Sequence, residues 1–202
     1  LSYVKHNNEQ WPQKRLVRCL ECIYTHAIKP HLEERIQLSS FKASLRWTVD
    51  MLADTARSDD EASLQIQCAT KFICGLLEDI ATQLPNSAAA TMVLAEIRHK
   101  HGVKSLLSRT HDCILPIRIY SVRALTSQAR YFSKELIALN AYATLSRSLS
   151  NIPTLLNILS LKPPVTDAAQ QRNELDQCVM VCRLLETLLK YESPSQPSPG
   201  RQ

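Results

Sequence analysis

Glycine is scarce in this chain, and that scarcity narrows the folds open to it. Only three glycines, Gly75, Gly102 and Gly200, occur among the 202 residues. A β fold with many tight turns needs glycine at its turns, and a phosphate-cradling loop needs several glycines close together. Apolar residues recur instead at helical spacing along most of the chain. The sequence therefore predicts an all-α protein.

Apolar periodicity and helix-breaking residues divide the chain into helices and linkers. We predict a flexible lead-in over residues 1–12, an N-terminal helical region over 13–57, a helical-repeat region over 58–191 and a disordered Pro/Ser-rich tail over 192–202. No apolar run approaches the ~20 residues that would span a bilayer, so no transmembrane segment is expected. The predicted helices are 13–31, 33–56, 61–84, 88–100, 102–109, 116–130, 133–139, 141–149, 151–161 and 174–191.

Residues 99–149 carry a pattern that occurs twice. Gly102-Val103 opens one short helix, and Ala141-Tyr142 opens another 39 residues later. That spacing is close to the ~40–47 residues of stacked helical repeats. The segment is therefore predicted to contain equivalent helices of two successive repeats.

Three longer segments can also be aligned by their apolar residues. IQCATKFIC (66–74), IYSVRALTS (119–127) and VMVCRLLET (179–187) match at offsets of 53 and 60 residues. Each apolar stripe is too wide to be buried by one helix, and stacking of neighbours would bury it in one continuous core. The pattern favours a superhelix of stacked short helices. A compact helical bundle is the alternative, because it shares the same amphipathicity.

The segment that follows residue 100 resembles an armadillo repeat. HGVKSLLSRT opens at a glycine turn, ILPIRIYSVRALTSQA follows as a longer helix carrying Ala124-Leu125, and FSKELIALNAYATLSRSL leads to a turn at Asn140-Ala141. The resemblance covers residues 88–161 well, the two flanking helical segments loosely, and 1–57 hardly at all. It implies an armadillo/HEAT-like right-handed superhelix that acts as a non-enzymatic protein-interaction scaffold.

The resemblance implies a partner-binding face on the long helices. In importin-type members this face carries a tryptophan and, four residues later, an asparagine that holds an extended peptide. The matching positions here are Arg123 and Ser127, and Arg183 and Thr187 in the last helix, so cargo binding of that kind is not expected. Together with Arg118, these residues form the predicted partner-binding face. Its arginines favour an acidic or phosphorylated peptide or protein partner.

The layout of the chain is also similar to that of the inscuteable-type polarity adaptors. In both, a helical N-terminal region runs into repeats that start with a Gly-Val turn. The similarity implies a scaffold at the cell cortex that joins Par-complex and Pins-type partners in spindle orientation.

The net positive charge of the chain comes from one segment. Residues 101–150 contain seven Lys/Arg and two acidic residues, while the rest of the chain contains seventeen of each sign, so this segment carries the whole net charge of +5. A basic surface suits an acidic protein partner. The alternatives are binding to nucleic acid or to an anionic membrane through the same segment, and a solvated surface without a partner. Nucleic acid is disfavoured because aromatic residues do not alternate with the basic ones.

Candidate metal and catalytic sets are weak. Cys19, Cys22, His26 and His31 have a zinc-like spacing, but they fall on a continuous predicted helix rather than in a tight knuckle. The His/Cys cluster at 99–113 lacks a third, orienting group. We therefore expect no enzyme activity, no cofactor and no bound metal. Seven cysteines in a helical context indicate reduced thiols and a cytoplasmic location.

Overall fold

The computed structural model describes residues 22–53, 60–150 and 168–192. Within these ranges every regular element is helical, which confirms the all-α class. A π-helical turn (Tyr24–Ile28) and a 3-10 turn (Lys29–His31) lead into the α-helices. These are α1 (Leu32–Ile36), α2 (Ser39–Ala53), α3 (Asp60–Gln83), α4 (Ala88–His99), α5 (Gly102–Arg109), α6 (Leu115–Ser127), α7 (Ala129–Ala138), α8 (Ala141–Ser150) and α9 (Ala168–Glu192).

Several predicted boundaries differ from the structure. The helices predicted over 116–130 and 133–139 meet earlier than expected, because the Gln128 carbonyl accepts from the backbone N–H groups of Tyr131 and Phe132 and so begins α7 directly after α6. The helix predicted over 33–56 is divided into α1 and α2, because the carbonyl of Leu38 accepts from the backbone N–H groups of Phe41 and Lys42 and so starts a new helix. The loop predicted over 162–173 is shorter, because α9 already begins at Ala168 in a run of residues that favour helix. The predicted lead-in, the helix at 151–161 and the predicted tail beyond Glu192, which is the last residue of α9, lie outside the described residues.

The turns before α5 and α8 share a left-handed residue. His101 has a φ of 56° directly before Gly102, and Asn140 has a φ of 54° directly before Ala141. These two residues are 39 apart, the same spacing as the pattern that occurs twice in the sequence. The two short helices are therefore entered through turns with the same backbone conformation.

The long helices α3, α6 and α9 pack side by side, with α6 between the other two. α3 and α6 run in the same direction. Lys71 lies over the ring of Tyr120, 5.5 Å from its centroid, and further along both helices Gln128 Nε2 donates to the Leu77 carbonyl at 2.9 Å. The shorter helices α2, α5 and α8 contact one another in the same order. Parallel neighbours of this kind differ from an up-and-down bundle, in which adjacent helices are antiparallel.

One cluster of buried apolar residues joins all these helices, from Leu32 in α1 to Leu188 in α9. Leu125 and Phe132 are among its fully buried members. Each such side chain contributes about 1.5–3 kcal/mol through its removal from water. The predicted boundary at 57/58 falls between α2 and α3, which pack against each other within this single cluster.

Replacing Gly102 with alanine is expected to destabilise the fold. A Cβ atom there would lie 2.8 Å from Ile97 Cγ2, 3.0 Å from the Ile97 carbonyl oxygen and 3.0 Å from Val49 Cγ1, so α5 would have to move away from α2. We expect Gly102→Ala to lower the free energy of unfolding by about 1–3 kcal/mol. Urea denaturation followed by circular dichroism measures this change.

Gly75→Ala is the matched control inside α3. Its Cβ atom would lie 3.4 Å from Tyr24 Cε1, an ordinary contact distance, and alanine favours a helix interior over glycine by about 1 kcal/mol. An unchanged or higher free energy of unfolding is expected. Equal destabilisation by the two substitutions would show that the close approach at Gly102 does not limit the packing of α5.

Candidate functional site

An open, mostly apolar groove of about 900 Å³ lies along α3. Its lining comes from α2, α3, the N-terminal turn (residues 23–28), Arg35 and Leu38 before α2, and Tyr120 and Arg123 of α6. Trp47 on α2 is 65% exposed and Ile23 is 54% exposed. This α2–α3 groove therefore presents large apolar side chains to solvent at one place on the surface.

Tyr24 holds the N-terminal turn against α3. Its hydroxyl donates a hydrogen bond to Asp79 Oδ2 at 2.8 Å, and its ring packs edge-on against Phe72 with the centroids 5.5 Å apart. Gly75 leaves space for that ring, since a ring carbon lies only 3.4 Å from the place of a Cβ atom. Burial and the bond to Asp79 raise the pKa of Tyr24. The hydroxyl therefore stays protonated near neutral pH and keeps its donor role.

Arg123 of α6 forms a bidentate salt bridge with Glu78 of α3 at the groove. Its Nε and Nη2 donate to Glu78 Oε1 and Oε2 at 2.9 and 2.8 Å. Partial burial opposes the charge of the guanidinium, but the bonds to Glu78 outweigh it and raise the pKa of Arg123. Both side chains are partly exposed, so the pair contributes on the order of 1 kcal/mol. Part of the charge of Arg123 is thus neutralised within the chain.

Lys71 and Arg35 add further positive charge to the groove. Lys71 lies over the ring of Tyr120, and Arg35 is exposed. With Arg123 they make three cations, and Glu78 is the one carboxylate among the described lining residues. The lining therefore has a net charge of three minus one, or +2. An apolar groove with this charge is complementary to an acidic, amphipathic ligand.

The structure distributes the five predicted partner-binding residues over two helices, α6 and α9. Arg123 is the one that lines the α2–α3 groove. Arg118 is half-buried, and its Nε has no hydrogen-bond partner among the described residues. The hydroxyls of Ser127 and Thr187 each donate to a carbonyl of their own helix at 2.8 Å. Arg183 is exposed on α9, and its role in partner binding remains a prediction.

Apart from the half-buried Arg118, the basic residues of segment 101–150 fall into two groups. Arg109 and Arg123 are engaged inside the fold: Arg109 pairs with Asp112 at 3.1 Å and donates to the Leu52 carbonyl, while Arg123 pairs with Glu78. The second group is exposed and does not line the α2–α3 groove. It comprises Lys104, Arg130, Lys134 and Arg147, on α5, α7 and α8.

Sequence reasoning missed most of the groove. Phe41, Leu45 and Val49 form the buried apolar stripe of α2, and Trp47 lies off that stripe. A tryptophan on the polar face of an amphipathic helix was the available signal, because such a side chain has no role in the core. Arg35 carried no such signal, because its place depends on how α1 meets α2.

The described part of the chain contains no group of residues placed to hold a metal ion, and none of its helices is long and apolar enough to cross a membrane. Of the zinc-like set, Cys22, His26 and His31 are exposed, and Cys19 lies outside the described residues. Cys74 contributes to the groove lining, and burial raises the pKa of its thiol to about 12. This thiol is therefore protonated and a poor nucleophile at neutral pH.

The fold and the groove together define the class as an all-α protein with parallel long helices and an open, basic-rimmed apolar groove. No protein-family model, no curated protein and no solved structure matches this chain.

Reversing one charge of the Arg123–Glu78 pair is expected to lower stability, and reversing both is expected to restore it. Arg123→Glu brings two carboxylates together, and Glu78→Arg brings two guanidinium groups together. Each single change should cost about 1 kcal/mol of unfolding free energy, and the double variant should recover most of it. Urea titrations of the four proteins measure the coupling energy. A coupling energy of zero would contradict a stabilising role for the pair.

Proposed function

We propose that this chain is a non-enzymatic adaptor that binds an acidic, amphipathic segment of a partner protein in the α2–α3 groove. The observation that carries this proposal is the open apolar groove with the exposed side chain of Trp47 and a lining of net charge +2. The apolar surface would supply binding energy, and the cations would select acidic partners.

The apolar side chains of the groove support recognition of a helix. Ile23, Leu38 and Trp47 are 54, 45 and 65% exposed, and all three line the groove. An amphipathic helix with apolar residues at i, i+3, i+4 and i+7 can lay that face into such a groove. Tryptophan is enriched among the residues that dominate binding energy in protein interfaces.

The charges of the groove support an acidic partner. Arg35, Lys71 and Arg123 lie along one lining, so carboxylates beside the apolar face of a bound helix would each meet a cation. Glu78 occupies the guanidinium of Arg123 in the free chain. A partner carboxylate would share that guanidinium or lie near Arg35 or Lys71, which favours several acidic residues over one.

The ionisable groups at the groove support binding over catalysis. Tyr24 is hydrogen-bonded to Asp79, Arg123 is ion-paired with Glu78, and the Cys74 thiol is protonated. A catalytic site needs a nucleophile or base that is free to react and is held by a third group. These groups instead join the N-terminal turn and α6 to α3.

We also propose that the helices form armadillo-like repeats within a right-handed superhelix. The units would be α1–α3, α4–α6 and α7–α9, with the long helices as the third of each unit. The parallel packing of α3 and α6 and the left-handed residues at His101 and Asn140 support this grouping. By its resemblance to the inscuteable-type polarity adaptors, the scaffold would act in the cytoplasm at the cell cortex during spindle orientation.

The exposed cations outside the groove favour a second candidate function, which is binding to nucleic acid or to an anionic membrane surface. Lys104, Arg130, Lys134 and Arg147 are all solvent-exposed. Binding through them would weaken steeply with salt and would not depend on the groove.

Binding of a designed helix is expected to shift the fluorescence of Trp47. The chain has two tryptophans, so Trp11→Phe leaves Trp47 as the reporter. The probe is a 15-residue helical peptide with leucines on one face and glutamates beside them. We expect a blue shift on titration, because the peptide removes the indole from water. The same peptide with lysine in place of glutamate should bind at least about tenfold more weakly.

Two charge reversals distinguish the groove from the exposed cations. Lys71→Glu should weaken binding of the acidic peptide about tenfold, whereas Lys134→Glu, at an exposed position on α7, should leave it unchanged. The opposite result, together with salt-sensitive retention of DNA or of anionic vesicles, would support the second candidate. No binding of the acidic peptide at about 100 μM or below would reject the groove as a peptide site.

A further inference from the structure

The outer side of α9 carries an exposed apolar stripe. Leu175, Val179 and Leu189 are 40, 50 and 56% exposed, and Cys182 between them is also exposed. With Glu186 they follow a spacing of four, three, four and three residues, which places all five on one face of the helix. This alternation is the spacing of a seam between two packed helices. The charged Glu186 in the stripe is partnered by Lys190 at 2.7 Å.

The opposite side of α9 is packed like the corresponding side of α6. Four positions of α9 that are fully buried have buried counterparts 60 residues earlier in α6 or directly after it. The pairs are Ile117/Gln177, Ser121/Val181, Ala124/Leu184 and Gln128/Leu188. The offset of 60 found in the sequence therefore relates core positions of the two helices.

The exposed stripe of α9 corresponds to a covered face of α6. Val122 is fully buried and Ile119 is half-buried, while their counterparts Cys182 and Val179 are exposed. α6 meets α3 through Tyr120 on its other side and has α9 as its second neighbour. In the described part of the chain, the main contacts of α9 are with α6, α7 and α8. Among the described residues, α9 is therefore the last long helix of the row, and it exposes the face that is buried in α6.

We propose that this stripe is a dimer interface, on which α9 of a second copy of the chain packs in the antiparallel direction. Asp176 and Lys190 lie seven residues to either side of Arg183. An antiparallel copy centred near Arg183 therefore brings Asp176 to Lys190 of the partner subunit, twice by symmetry. Lys190 would then bridge Glu186 of its own helix and the partner's Asp176.

The charges favour a second copy as the occupant. The exposed charged residues of α9 are three basic and three acidic, namely Arg172, Arg183, Lys190, Asp176, Glu186 and Glu192. An antiparallel copy forms the Asp176–Lys190 pair twice and places one like charge, Arg183, near Arg183 of the partner subunit, whereas a parallel copy would place every charged residue level with its own counterpart. The stripe is about 21 Å long at 1.5 Å per residue. An interface of this size is small, so a dimer dissociation constant on the order of 10 μM is expected.

Sedimentation of the full chain tests the interface. The wild-type chain should change from monomer to dimer as its concentration rises through the micromolar range. Val179→Glu should raise the dissociation constant about tenfold or more, and it should still fold because position 179 is half-exposed. Asn173→Glu, at an exposed position of α9 away from the stripe, is the matched control and should not change it. Circular dichroism confirms that each variant is folded.

A charge exchange tests the antiparallel direction. Asp176→Lys alone and Lys190→Asp alone should each weaken the dimer, and the variant with both changes should restore it. Trp47→Ala should leave the dimer intact, which separates this interface from the α2–α3 groove. A wild-type chain that stays monomeric at about 200 μM, or a dimer unaffected by Val179→Glu, would overturn the proposal. A dimer that the charge exchange fails to restore would overturn the antiparallel arrangement.

Discussion

The covering of α6 on two sides is the constraint on which the rest of the structure depends. α6 lies between α3 and α9, and Val122, Ala124 and Leu125 are fully buried. Removal of these side chains from water supplies much of the attraction between the long helices. The bond from Gln128 to the Leu77 carbonyl sets the direction and register of α6 against α3, because a buried amide that lost its acceptor would be costly.

This register also shapes the face of α3 that lies between α2 and α6. That face is covered only in part, by the N-terminal turn that Tyr24 attaches to Asp79. The space that remains is the α2–α3 groove, with Trp47 exposed in its lining. The same register brings Arg123 to Glu78, so a contact between two long helices also sets the charge of the groove. The Arg123–Glu78 pair therefore contributes both to helix packing and to the partner binding that we propose for the groove.

Several features could be predicted from the sequence because they depend on local periodicity. The boundaries of α3, α4 and α5 fall within one residue of their predicted positions, since apolar spacing, Pro85 and the turn before Gly102 mark them directly. The division between α1 and α2 was missed, because the turn at Leu38 has no glycine or proline. The exposed stripe of α9 was also missed, since its leucine and valine look like core residues when no neighbour is known.

The sequence by itself determined the helical class, most helix boundaries, the 39-residue spacing of two turns and the segment that carries the positive charge. Each of these follows from residue type and from spacing along one helix. The tertiary structure decided which cations are exposed, which apolar faces are covered and where the groove opens. These depend on contacts between residues some fifty positions apart, such as Leu77 with Gln128. Periodicity within a single helix cannot predict such contacts.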